Sequence, residues 1–91
     1  MDELNNLRKI IDVLDDEILA LIAERQVVVE RIGRLKATQK IAVFDPKREE
    51  ILKQYHEELS QKYSLSIEFV IKLFETIMEE SRRTQQININ Q

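Results

Sequence analysis

Ninety-one residues with one glycine, one proline, no cysteine and a charged fraction of 34 % describe a small helical unit; strand and turn chemistry is nearly absent, and no disulfide framework or thiolate metal site can form. The formal net charge of −3 argues against a surface built to neutralise nucleic-acid phosphates, so no nucleic-acid partner is expected. The opening MDELNN lacks a cationic stretch leading into an apolar run, and no later stretch is apolar for long enough to span a bilayer, so the expectation is a soluble, cytoplasmic protein with no membrane partner.

The first predicted helix spans about residues 3–39. Leu4, Leu7, Ile11, Leu14, Ile18, Leu21, Val28, Ile32 and Leu35 follow one another at helical spacing along a coiled-coil-like seam. Only Arg25 interrupts it. At 1.5 Å per residue such a helix is ~55 Å long, whereas a compact chain of this length has a radius of gyration of ~12 Å. The helix must protrude, and a protruding apolar seam calls for a second chain. The expected architecture is therefore all-α, three helices per chain with one very long, in an intertwined homodimeric bundle.

The second predicted helix covers about 46–62. Asp45 is placed to cap it and Pro46 suits its first position; Leu52, Tyr55 and Leu59 are expected to point inward. The third covers about 66–86, with Ser66 as cap and Glu68 in the first turn. Its inner face is expected to hold Ile67, Val70, Ile71, Phe74, Ile77 and Met78. Residues 87–91 are expected to fray. With no internal repeat or low-complexity tract, residues 1–91 read as one domain.

Polar groups interrupt all three inner faces. Burying an unpaired guanidinium costs several kcal/mol, so Arg25 requires an anion, from the protein or from a ligand. Lys36, eleven residues on, is ~20° around the helix and ~16 Å along it, so both cations can lean toward one point above Val29 and Ile32. The plainer reading is a polar residue that sets coiled-coil register by pairing with a partner's glutamate. On the third helix the stripe Phe74, Met78 continues to Ser81 and Gln85, where hydroxyl and amide replace aliphatic groups. Arg48 lies in the first turn of the second helix, where a cation opposes the macrodipole, and Glu49 follows it. Arg8 is seventeen residues from Arg25, or ~25 Å along a continuous helix. A site using both would be shared between two antiparallel copies; the plainer reading makes Arg8 an ordinary surface charge near a helix start. His56, in YHEEL, lacks the second histidine of a zinc-binding helix and is expected to be solvated. Gly33 costs ~1 kcal/mol against alanine inside a helix, which fits either a close approach of backbone or ligand or a glycine that is simply tolerated. No glycine-rich phosphate loop or nucleophile motif occurs.

The blocks LRKIIDVLDDEILALIAER, GRLK, DPKREE and EESRRTQQ, in this order and spacing, resemble the all-α, class II chorismate mutases from about Leu4 to Gln86. The resemblance implies an entwined dimer of three-helix chains with two equivalent sites, converting chorismate to prephenate on the way to phenylalanine and tyrosine. That rearrangement needs no nucleophile, metal or cofactor. Carried over by residue, Arg8 would come from the opposite subunit, Arg25 would bind a carboxylate, and Lys36 would reach the ether oxygen and a carboxylate. Asp45, Arg48 and Glu49 would line the wall, with Glu49 binding the ring hydroxyl. Ser81 would help to hold a carboxylate, and Gln85 would donate to the ether oxygen. Lys36, Gln85, Arg25 and Glu49 are thus the expected catalytic group. Arg82 departs from the pattern, standing where an apolar residue is common. Two rival readings are an isochorismate-pyruvate lyase on the same scaffold, against which Ser81 and Glu49 speak, and a non-catalytic helical dimerisation module that would tolerate Arg25→Met.

Overall fold

The structure, a computed structural model, describes residues 2–89 and the side chains of residues 2–87. It consists of α1 (Asp2–Gln39), α2 (Pro46–Lys62) and α3 (Ile67–Ile89), with no strand among the described residues. No helix is long and apolar enough to cross a membrane among those residues.

The helix starts follow the sequence. The Asp45 carboxylate accepts from the backbone N–H of Arg48 at 3.1 Å, and Pro46 occupies the first helical position, where no N–H is missed. Ser66 Oγ accepts from the Phe69 N–H at 3.3 Å, and Glu68 lies in the first turn of α3. The helix ends could not be read in the same way. After both α1 and α2 the chain closes a Schellman motif: Ile41 N–H bonds the Lys36 carbonyl and Leu65 N–H the Ser60 carbonyl, each at 2.9 Å. The left-handed residue in each motif is not glycine but Lys40 (φ 57°) or Ser64 (φ 55°). The third helix does not stop at residue 86: Ile87 to Ile89 remain helical, and the rest of the expected frayed tail lies outside the described residues.

α3 lies between the other two helices, packing on α1 along one side and on α2 along the other, while α1 and α2 do not pack on each other. This arrangement leaves a gap between α1 and α2, roofed on one side by α3. The molecule measures 57 × 27 × 15 Å with a radius of gyration of 16.6 Å. Its longest dimension is that of α1 alone, since 38 residues at 1.5 Å rise give ~57 Å.

The core is small. Val29 and Val70 are the buried hydrophobic residues among those described, joined by the polar His56, Ser60, Ser81 and Gln85. The accessible surface of 7613 Å² exceeds the ~5,500 Å² of a compact monomer of this size. The excess comes from α1. Every side chain from Asp2 to Leu21 is exposed, and the apolar seam remains uncovered even beyond it, at Val28, Ile32 and Leu35. The face of α1 that meets α3 is a neighbouring stripe in which Val29 and Gly33 are buried and Ile22, Arg25, Gln26 and Lys36 half-buried. Arg25 therefore sits on the border between the two stripes rather than in the middle of the seam.

Candidate active site

The gap between α1 and α2 forms a cavity of about 330 Å³, within the range of small-molecule sites. From α1 it receives Arg25, Val29, Ile32 and Lys36; from the link and α2, Val43, Asp45, Arg48, Glu49 and Leu52; from α3, Met78, Ser81, Arg82 and Gln85. All the residues expected from one chain thus converge on a single space. Arg8 does not line it: it lies on the exposed N-terminal half of α1.

The spacing of each helix explains the convergence. Ser81 and Gln85 are one turn apart on α3 and both are buried, at 6 % and 8 % exposure, because the stripe that packs α3 against its neighbours runs straight into the site. Arg25 donates through Nη1 to Ser81 Oγ, and Ser81 in turn donates to the Ile77 carbonyl at 2.9 Å. Beside this pair, Gln26 Nε2 donates to Thr84 Oγ1 at 3.2 Å, a second strut between α1 and α3. Lys36 Nζ donates to the Val43 carbonyl at 2.9 Å. This bond ties the C-terminal end of α1 to the link and leaves two ammonium N–H groups for a guest.

The charges do not cancel. Four cations line the cavity, Arg25, Lys36, Arg48 and Arg82, against two carboxylates, Asp45 and Glu49, a surplus of two positive charges. Among the described residues the ion pairs are Arg82–Glu49 and Arg83–Glu80, and neither uses Arg25, Lys36 or Arg48. Burial holds the Arg25 guanidinium below its ordinary pKa, as expected of a cation taken from water without a counter-charge. The Gln85 Oε1 atom is buried and accepts no hydrogen bond. An amide interchanges its oxygen and nitrogen by rotation, so this position can offer an acceptor or a donor to a guest. A second hollow of about 250 Å³ on the α2–α3 side has Glu49, Glu50 and Glu75 against Lys53, which disfavours an anion.

Three expectations require correction, the first being Ile67, placed on the inner face of the third helix but 40 % exposed. His56 is not solvated: it is 5 % exposed, with its ring stacked on Phe74 at 3.7 Å and 13°. The signal was present in the sequence, because His56 lies four residues after Leu52 and three before Leu59 and so shares their face. Tyr55, expected inward, is 52 % exposed instead. The imidazole is held below its ordinary pKa, first by burial and then by the Arg25 and Arg48 cations. Arg82 also turns toward the site, with Nη1 2.8 Å from both oxygens of Glu49.

Compared with known proteins, the chain matches the family of chorismate mutase type II over residues 7–86. The chain belongs to that family. It is 29 % identical over 85 residues to the chorismate mutase of Methanocaldococcus jannaschii, an alignment that covers 93 % of this chain and 86 % of that protein. It is 37 % identical over 84 residues to the bifunctional chorismate mutase/prephenate dehydratase of Buchnera aphidicola (92 % of this chain, 20 % of that protein). To the bifunctional enzyme of the same name from Escherichia coli it is 34 % identical over 85 residues (93 % and 22 %). The chain therefore spans about a fifth of these two bifunctional relatives and most of the Methanocaldococcus jannaschii protein.

Proposed function

We propose that this chain is a chorismate mutase, an isomerase of the cytoplasm that converts chorismate to prephenate by an intramolecular Claisen rearrangement and works as a homodimer with two shared sites. The observation that carries this reading is the uncancelled charge: Arg25 and Lys36 face a roomy cavity, and neither is ion-paired among the described residues. In a family of chorismate mutases, a doubly negative guest supplies what they lack.

In this reaction an ether C–O bond breaks while a C–C bond forms within one molecule. The protein's task is to hold a flexible dianion in its diaxial shape and to favour the negative charge that grows on the ether oxygen. Arg25 presents a planar fork to one carboxylate, with Ser81 fixing the fork's direction. The two unused N–H groups of Lys36 serve the ether oxygen and a carboxylate, and the Gln85 amide donates to the same ether oxygen. These two groups bind more strongly as the bond breaks, which is the differential binding that lowers a barrier. Glu49 accepts from the ring hydroxyl. Asp45 uses its carboxylate to cap α2, and in doing so places Arg48 and Glu49 at the wall. Val29, Ile32, Leu52 and Met78 keep water away from the charges.

The second copy is supported by the uncovered seam of α1, where Leu4, Leu7, Ile11, Leu14, Ile18 and Leu21 are all 46–64 % exposed. An antiparallel partner helix laid along it covers the seam and delivers its own Arg8 to the cavity.

The test is direct. Added to chorismate, the protein should abolish the substrate's ultraviolet absorbance with stoichiometric formation of prephenate, and it should release no salicylate from isochorismate. A folded, helical chain that leaves chorismate unchanged would refute the proposal.

A further inference from the structure

Arg82 lines the cavity without a part in this chemistry. Its Nη1 lies 2.8 Å from both carboxylate oxygens of Glu49, thirty-three residues away on another helix. Its guanidinium carbon lies 6.0 Å from the centroid of the Phe44 ring, within reach of a cation–π contact. Arg82 is thus held on two sides. Both partners are about one-third exposed or less (35 % and 27 %), so neither is an ordinary surface charge.

The geometry has two consequences. A carboxylate in a cavity that takes a dianion repels its guest, and Arg82 offsets that charge. With Arg82 the lining carries four cations and two carboxylates; without it, three and two. In addition, one nitrogen set between the two carboxylate oxygens occupies the inner lone pairs and leaves the outer ones to a hydroxyl donor. Arg82 and Glu49 belong to α3 and α2, so the pair also fixes how far the Glu49 carboxylate stands from Ser81 and Gln85.

We infer that Arg82 is a positioning residue for the ring hydroxyl subsite: it neutralises and aims Glu49, acts on the substrate only through that carboxylate, and so makes an otherwise repulsive acid tolerable beside a dianion. This inference rests on the chorismate mutase reading above for the identity of the substrate.

The experiment is a double-mutant cycle with Arg82→Met, Glu49→Gln and the pair, read as kcat/KM for chorismate. Removing Arg82 alone should lower kcat/KM about tenfold, mostly through KM, since the interaction is present in ground and transition states alike. In the Glu49→Gln background the same removal should change it by less than about twofold. Arg82→Lys, which retains the charge without the fork, should lose less than Arg82→Met. Equal losses from Arg82→Met in both backgrounds, or no loss in the native background, would overturn the inference. Circular dichroism of each variant separates these outcomes from unfolding, which the cycle would register as a loss in both backgrounds. Failure of the unsubstituted protein to turn over chorismate would refute the mutase reading instead; chorismate would then be an unreacting ligand, and its affinity would carry the same cycle with the same outcomes.

Discussion

The two halves of α1 carry the same apolar seam and meet opposite fates. From residue 22 onward the helix has a partner: α3 covers Val29 and Gly33, half-buries Arg25 and Lys36, and gives Arg25 a hydroxyl to bind. From residue 2 to 21 nothing covers it, although Leu7, Ile11, Leu14 and Ile18 repeat as regularly as any stretch of the chain. Periodicity shows that a face is meant to be buried; it does not say by what. In the packed half α3 covers a stripe beside the seam and leaves Val28, Ile32 and Leu35 of the seam itself exposed. In the free half the proposed answer is a second copy, and Arg8 belongs to that half.

The largest expected effect separates the halves by function. Lys36→Ala, in the packed half, should lower kcat by ~10²–10³-fold, in the range of losing one donor to a developing oxyanion, while the oligomeric state measured by sedimentation is unchanged. A change confined to KM would contradict its role. A charge placed in the free half should act on assembly first, and on activity only through the loss of the shared sites. Leu14→Asp puts an unpaired carboxylate into the proposed interface and should weaken dimerisation by about 10²-fold or more, giving monomers and a melting temperature that no longer depends on concentration. A monomeric native protein would remove the basis of this comparison.

A smaller effect concerns pH and belongs to the packed side alone. The folded His56 imidazole is held below the ordinary value of about 6.5. As pH falls through about 6.5 the unfolded chain takes up a proton that the folded chain resists, so stability is constant above that value and declines below it, down to the folded pKa. Thermal melts between pH 7.5 and about 5 should show this decline, and His56→Phe, which retains the stack on Phe74, should flatten it. Smallest of all, Lys40→Gly relieves a left-handed residue at the end of α1. It should stabilise the chain by about 0.5–1 kcal/mol, or a few degrees in melting temperature, without touching activity.

What was legible in the sequence follows from the range of the forces involved. Local chemistry was readable. Asp45 and Ser66 cap their helices through bonds three residues long, and the length of α1 follows from an unbroken period. The gathering of Arg25, Lys36, Arg48, Glu49, Ser81 and Gln85 around one cavity was approached through interruptions of three separate faces, and the resemblance to a family supplied the link between them. Long-range choices were not readable. Whether Arg82 turns outward or reaches Glu49 depends on how α3 lies against α2. Which stripe of α1 meets α3 depends on a rotation of 100° per residue, which separates the exposed Val28 from the buried Val29. The helix ends were hidden for a different reason: both left-handed positions carry residues other than the glycine that usually marks them.

The central claim is that each cavity is completed across two chains, and complementation tests it most directly. Arg8→Ala and Arg25→Ala homodimers should each be nearly inactive toward chorismate. Mixed in equal amounts, unfolded and refolded together, they should regain activity, because half of the dimers formed at random are heterodimers and one of the two sites in each heterodimer holds both arginines. Heterodimers that form, as native mass spectrometry would show, and yet stay as inactive as their parents would contradict the shared site.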